Sequence, residues 1–203
     1  MGIRMKKMMV ILMAALLTMA MTVGACADQG AVQGVWNGSL TNIKAGEYVG
    51  LSVPADWYHE ETAAGNAGGS IHRLIPVSET GVHIIFYEMD MQILTVPFEE
   101  MVRDHLTELN AHLDQLCMES AGASSVRIEH GWVGNIPVAV WTGKTGLTGG
   151  LGQYSAGIEF LTGEFSFSLK CSMAANQYTQ QDVETLLVKL AEQMTVNHAA
   201  VRN

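Results

Sequence analysis

The sequence predicts an α+β fold, in which an antiparallel β-sheet is covered by a long central helix and a C-terminal helix. Short runs of branched and aromatic residues alternate with turn residues, which is typical of strands. Two other segments carry apolar residues at steps of three and four, which is the period of a helix. Predicted strands precede and follow the first helix, and this order favours α+β over alternating βα units.

Three strands are predicted in the first half of the chain. Residues 49–53 alternate between apolar and small side chains before Pro54, and residues 71–75 and 82–87 are rich in branched and aromatic side chains. Gly, Pro and Ser bound these runs, as is usual at the ends of strands.

The long central helix is predicted from Pro97 to about Met118. Pro97 suits the first turn of a helix, and Glu99 and Glu100 complement the positive end of its dipole. Gly122 favours an end to the helix soon afterwards. One apolar stripe runs along it, formed by Phe98, Val102, Leu106, Leu109, Leu113 and Leu116.

Two hairpins are predicted between the helices. The first turns at Gly134-Asn135, and the second turns at Thr162-Gly163. The strand after the second turn has two distinct faces: Phe165, Phe167, Leu169 and Cys171 on one, and Ser166, Ser168 and Lys170 on the other. We expect the first face to lie against the helices and the second to face solvent, because a slip by one residue would bury Lys170.

The C-terminal helix is predicted to begin at Thr179, with Asp182 three residues later as a variant of the capping box. Its apolar stripe consists of Val183, Leu187, Leu190 and Met194. Each helix has a single apolar face, so each is expected to lie on a sheet.

The ends of the chain differ in charge. The 203 residues have a net charge of −9, but residues 1–25 contain Arg4, Lys6 and Lys7 and no acidic residue. Without that segment, eight Lys and Arg residues stand against 20 Asp and Glu, a net charge near −12. A body this acidic argues against nucleic-acid binding through a basic face.

Residues 1–25 have the layout of a secretory signal, with a basic start, an apolar stretch and then small residues. The Val-Gly-Ala-Cys of residues 23–26 is similar to the lipobox of bacterial lipoproteins, which predicts lipidation of Cys26. Ordinary signal-peptidase cleavage and an uncleaved membrane anchor are the alternatives, and all three place the body outside the cytoplasm. The predicted organisation is a signal over 1–25, a tether over 26–31, one domain over 32–197 and a tail over 198–203.

If Cys26 is lipidated, Cys117 and Cys171 remain as an even pair in a compartment that permits disulfides. A disulfide between them is one interpretation. The other is two buried, reduced thiols, which is how free cysteine commonly behaves.

One trio of side chains on the long helix has the chemistry of a metal site. His105, Glu108 and His112 are three and four residues apart, so a continuous helix would place them on one stripe. Two imidazoles and a carboxylate suit a borderline metal such as zinc. A solvated polar flank is the simpler interpretation. The segment His59-Glu60-Glu61 is a less regular version in a predicted loop, where we expect it to be solvated.

Other chemistry lacks its motif. Gly143-Lys144-Thr145 is preceded by Val138 where a phosphate-binding loop needs glycine, so residues 143–152 are predicted to be a Gly-rich loop. The sequence has no Gly-x-Ser-x-Gly elbow, and no cofactor is expected. The large aromatics are Trp36, Trp57, Trp132, Trp141, Tyr48, Tyr58 and Tyr154. Most are expected in the core, and the others are candidates to line a binding groove.

Residues 34–36 and 48–57, the latter ending in Pro-Ala-Asp-Trp, resemble the opening of the PsbP-like domain group. The order of long helix, paired hairpins and closing helix is similar too, over about residues 32–196. The resemblance implies a PsbP-like α/β/α sandwich. Members of the group have unrelated roles, so it implies no catalytic residue.

The sequence therefore predicts an extracytoplasmic, lipid-anchored bacterial protein with a non-catalytic role in binding a protein or a small molecule. The alternative is an extracytoplasmic metal-dependent enzyme that uses His105, Glu108 and His112.

Overall fold

Two antiparallel sheets and three helices make up the described part of the chain. The computed structural model describes residue 36 and residues 38–45, 49–64, 69–77, 81–90, 96–122, 126–133, 135–146, 152–162 and 165–196. The strands are β1 (Leu40–Ala45), β2 (Val49–Pro54), β3 (Tyr58–Ala63), β4 (Gly69–Ile75), β5 (Val82–Asp90), β6 (Val126–Val133), β7 (Ile136–Gly146), β8 (Gly152–Thr162), β9 (Phe165–Ala174) and β10 (Met194–Val196). The helices are α1 (Phe98–Asp104), α2 (Leu106–Ala121) and α3 (Gln180–Glu192).

The strands pair in a simple order. The smaller sheet is β1-β2-β10, and the larger is β3-β4-β5-β9-β8-β7-β6, with every pair antiparallel. Helix α2 contacts β6, β7 and β8, whereas α3 contacts β8, β9 and β2. The predicted α+β class is confirmed, but the structure has two sheets where one was expected.

The predicted strands and both hairpins are present. Three strands were not predicted: β1, β3 and β10. Strands β1 and β3 consist largely of polar, exposed residues, so they lack the apolar alternation by which a strand is recognised. The loop expected over residues 143–152 is shorter, because β7 extends to Gly146 and pairs with the start of β8.

The predicted long helix is interrupted at His105. This residue has φ −128° and ψ 32°, outside the helical range, and it separates α1 from α2. The apolar stripe still points inward, since Phe98, Leu109 and Leu113 are buried. Helix α2 ends at Gly122, whose φ of 53° is the left-handed conformation that glycine adopts without strain.

The C-terminal helix begins as predicted. The Thr179 side chain accepts a hydrogen bond from the Asp182 backbone N–H, and the Asp182 carboxylate accepts one from the Thr179 N–H, which completes the capping box. Met194, expected at the end of the helical stripe, is buried in β10 instead.

Both faces of β9 are buried, so the prediction that one faces solvent is wrong. Ser166 and Ser168 are 2% and 0% exposed, no more than Phe167 at 0%. Lys170 is half-buried, and its Nζ donates to the backbone oxygen of Ser120 near the end of α2 at 2.6 Å. The helix therefore lies over the serine and lysine face, and the small serine side chains leave room for it.

Residues 1–35, which include the predicted signal, Cys26 and the whole predicted tether, lie outside the described residues. None of the helices in the described part of the chain combines the length and apolar character needed to cross a bilayer.

Candidate functional site

Strands β3 and β4 bring two histidines and a glutamate together. Glu61 pairs directly opposite His72, and His59 lies two residues before Glu61 on the same face of the strand. One potential ligand atom from each of the three side chains lies within 4.8 Å of the others. Among the described residues, this is the one group of three or more His, Cys, Asp or Glu side chains whose potential ligand atoms come this close together.

The spacing of the two imidazoles is close to that of metal ligands. His59 Nε2 and His72 Nδ1 are 3.0 Å apart, joined by a hydrogen bond. Two nitrogens bound tetrahedrally to zinc at its usual bond length stand about 3.3 Å apart. The rings would therefore separate by only a few tenths of an ångström to admit an ion in place of the shared proton.

A second contact fixes the orientation of His72. Its Nε2 forms a hydrogen bond with Ser70 Oγ at 2.9 Å, which leaves Nδ1 directed at His59 and the shared site. Metal-binding histidines generally use one ring nitrogen in this way to set the ring's position and tautomer. Ser70 is therefore a positioning residue for the cluster.

Burial determines the charge of the His72 side chain. His72 is only 1% exposed, and its ring lies 6.1 Å from that of Phe86. Burial lowers the pKa of His72, an effect that Glu61 opposes and His59 reinforces. The ring is consequently neutral at neutral pH, and neutral imidazole is the form that binds metal ions.

The cluster lies in a cleft of about 410 Å³. Its walls include four consecutive residues of β1, from Thr41 to Lys44, together with His59, Glu61 and His72. Consecutive residues of a strand point to opposite faces. Four in a row therefore show that the cleft runs along the edge of β1.

The predicted metal trio is not assembled. His105 lies between the helices and forms an ion pair with Glu108, with 3.3 Å between Nδ1 and Oε2. His112 lies in the middle of α2, where its buried Nε2 has no hydrogen-bond partner. His105 and Glu108 therefore still meet across one turn, but no potential ligand atom of His112 joins them in a group of three. By contrast, His59 and Glu61, expected in a solvated loop, are on strand β3.

Cys117 and Cys171 are free and buried in the structure, with no disulfide between them. Cys171 shares the face of β9 that carries Phe167, whereas Cys117 belongs to α2, which lies over the opposite face. The sheet separates them. Burial raises the pKa of both thiols, which makes them poor nucleophiles.

The described large aromatics divide as expected between core and surface, and none of these described side chains is part of the cleft lining. Trp57 and Trp141 are buried, and Trp36 packs edge-on against Trp57 at 5.4 Å. Tyr58 and Trp132 are exposed. Tyr48 lies outside the described residues.

A second polar cluster is enclosed beneath α2. Glu159 on β8 is 1% exposed, and its Oε1 accepts hydrogen bonds from Trp141 Nε1 at 3.1 Å and Ser168 Oγ at 2.7 Å. Burial raises the pKa of Glu159 to about 7, although these hydrogen bonds act in the other direction. With Glu159 and Trp141 both inaccessible, the cluster is part of the packed interior rather than a ligand site.

Sequence reasoning missed His72, although a signal was present. Residues 65–69 are Gly-Asn-Ala-Gly-Gly, a turn-forming stretch that lies midway between Glu61 and His72. A hairpin centred there places these two residues opposite each other, as the structure does. The polar character of β3 concealed the hairpin.

Known structures show the same fold. No family model and no curated protein matches the chain. The chain is similar to the solution structure of cyanobacterial PsbP (CyanoP) from Synechocystis sp. PCC 6803, with a TM-score of 0.54 and 11% identity over 86% of this chain and 99% of that one. It is also similar to LpqN, involved in cell envelope biogenesis of Mycobacterium tuberculosis, with a TM-score of 0.47 and 14% identity over 78% of this chain and 91% of that one. The likeness to CyanoP defines the class: the chain has a PsbP-like α+β fold.

Proposed function

We propose that this chain is an extracytoplasmic, lipid-anchored protein that binds a divalent transition-metal ion, without catalysis, through His59, Glu61 and His72. The observation that carries the proposal is the convergence of these three side chains within 4.8 Å in a cleft. An enclosed, neutral imidazole already held by Ser70 supplies one fixed ligand, and two exposed side chains supply the others.

The donor set selects the class of ion. Imidazole nitrogen suits zinc, copper, nickel and cobalt, and a single carboxylate is compatible with the same ions. Magnesium and calcium prefer sites made of oxygen ligands. Zinc is therefore the first probe, and cobalt is its spectroscopically visible substitute.

The residues that line the cleft support a binding role without catalysis. Among the described residues that line the cleft, Lys44 is the one ionisable residue besides the three ligands. A metal-dependent hydrolase normally needs a further acid or base beside the metal-bound water. Among the described lining residues, no carboxylate is left for that role once Glu61 is a ligand.

The location outside the cytoplasm is proposed from the sequence. The basic and apolar segment before Cys26, and the lipobox-like residues 23–26, support a secreted chain held by acyl groups on Cys26. Two acyl chains anchor far more firmly than one. A metal site outside the cytoplasm is also exposed to metal ions whose concentration the cytoplasm does not buffer.

Zinc titration by calorimetry tests the metal site. The protein is purified without a histidine tag and stripped with EDTA, and the expected result is one zinc ion per chain. Glu61→Gln should weaken zinc binding at least about tenfold, since it removes an anionic ligand. Ser70→Ala should weaken it by about tenfold, as loss of an outer partner does.

Two controls accompany the titration. Glu60→Gln changes the neighbouring residue on the opposite face of β3, where it pairs with Arg73 at 3.6 Å, and should leave zinc affinity unchanged. The double variant His105→Ala/His112→Ala should also bind zinc normally. Loss of zinc binding in the double variant, or equal affinity for Glu61→Gln and Glu60→Gln, would contradict the proposal.

A further inference from the structure

The cleft is much larger than a metal ion and its water. A water molecule occupies about 30 Å³ in the liquid, whereas the cleft holds about 410 Å³. That volume lies within the usual range for small-molecule sites. Because zinc and cobalt commonly take four ligands and the cluster offers three, a bound ion would have one coordination position free for a further ligand.

The wall opposite the cluster is a strand edge with hydrogen-bonding groups. In the described chain, β1 pairs with β2 on one side and has no strand on the other. In an antiparallel strand the N–H and C=O groups of alternate residues point to opposite sides. Two of the four residues from Thr41 to Lys44 therefore direct backbone donors and acceptors away from β2, along the edge where the cleft runs.

The charges of the cleft favour an anion. Its lining contains one carboxylate, Glu61, and that group is taken up by the metal. The β1 residues of the lining include one cation, Lys44, and two polar residues, Thr41 and Asn42, and no acidic residue. A divalent ion, one carboxylate and one ammonium leave a net positive cleft in a protein whose net charge is −9.

We propose that the cleft binds the metal ion together with a small dicarboxylate, which places one carboxylate on the open coordination position and the other against the β1 wall. The inference rests on the proposed metal site and names the ligand class of that site. A dicarboxylate satisfies both ends of the cleft, since carboxylate oxygens bind these metal ions and accept hydrogen bonds from ammonium, hydroxyl and backbone N–H groups.

Cobalt-loaded protein and three simple probes test the inference. Acetate offers the metal one carboxylate, β-alanine adds an ammonium end, and succinate adds a second carboxylate. Each is titrated while the visible d–d bands of the bound cobalt are recorded. Succinate should bind at least about tenfold more tightly than acetate or β-alanine, because only succinate gains charge-assisted contacts at the far wall.

A matched pair of lysine variants locates the second contact. Lys44→Ala should reduce the preference for succinate over acetate to about threefold or less while cobalt affinity stays normal. Lys189→Ala, which removes a lysine from α3 that does not line the cleft, should keep the full preference.

The outcomes separate the two proposals. If cobalt does not bind, the metal site itself is wrong. If cobalt binds but acetate, β-alanine and succinate have equal affinity, the dicarboxylate inference is wrong and the metal site stands. Removal of cobalt from the protein by succinate, with no ternary complex, also overturns the inference.

Discussion

Replacing Glu159 with glutamine should make the stability of this protein less dependent on pH. Glu159 is enclosed beneath α2, and burial raises its pKa from 4.5 to about 7 in the folded state. Glutamine has nearly the same shape, and its amide oxygen can accept the hydrogen bonds that Trp141 and Ser168 now donate to Oε1. The variant therefore removes the titration and keeps the contacts.

The sign and size of the pH dependence of the free energy of unfolding follow from proton linkage. Between pH 4.5 and about 7 the folded protein holds a proton on Glu159 that the unfolded chain has lost, so the free energy of unfolding falls as pH rises through this window. The loss levels off about one pH unit above the folded pKa and amounts to about 3 kcal/mol for a pKa difference of this size. Below pH 4.5 both states are protonated and the contribution is constant.

The measurement is urea denaturation of wild type and Glu159→Gln at pH 5 and pH 8. From pH 5 to pH 8, the free energy of unfolding of the variant minus that of wild type should rise by about 2–3 kcal/mol. This comparison cancels the effects of pH that both proteins share. Glu192→Gln, at an exposed position at the end of α3, is the control and should show no such change. An advantage of Glu159→Gln that is the same at both pH values would refute the reasoning.

Four further substitutions test packing and location. Ser168→Ala should lower the free energy of unfolding by about 1–3 kcal/mol, because it removes a buried hydrogen bond to Glu159. Phe167→Ala should lower it by about 3–5 kcal/mol. A loss below about 0.5 kcal/mol for Ser168→Ala in urea denaturation would indicate that the serine face of β9 is exposed to solvent. Gly157→Ala should cost about 1–3 kcal/mol in the same assay, because a Cβ there would lie 2.6 Å from an indole ring, and an unchanged stability would show that the ring moves aside. Cys26→Ala should release the protein from membranes into the medium, and retention in the membrane fraction would indicate an uncleaved anchor instead.

The elements that the sequence predicted are those whose apolar side chains repeat regularly. The alternation around Phe167 located the β8–β9 hairpin, and the helical stripe through Leu109 and Leu113 located α2. The capping box at Thr179 placed the start of α3 to the residue. Each of these signals depends on neighbours along the chain, so the sequence contains it in full.

The features that were missed depend on contacts between distant segments. Alternation in β9 showed that Ser168 and Phe167 face opposite ways, but it could not show that α2 covers the serine face. The same limit applies to the site. His59 and Glu61 are visible as a polar pair, whereas their meeting with His72 requires the pairing of β3 with β4. Burial of one histidine in the finished fold distinguishes this cluster from a solvated one.

The trio on the long helix shows the opposite error. Its spacing is correct for a continuous helix, but His105 leaves the helical conformation and separates α1 from α2. The spacing still brings His105 to Glu108 across one turn, but His112 does not complete the group, because spacing along a helix does not fix where each side chain ends. The pairing of β3 with β4, by contrast, fixes the relative positions of His59, Glu61 and His72 on the two strands.

Anomalous diffraction from crystals soaked in zinc tests the central claim most directly. The account predicts one strong peak at the zinc edge, within about 2.0–2.2 Å of His72 Nδ1, His59 Nε2 and a carboxylate oxygen of Glu61. A peak beside His105 and His112 with none in the cleft, or no ordered zinc in the cleft at a saturating concentration, would contradict it.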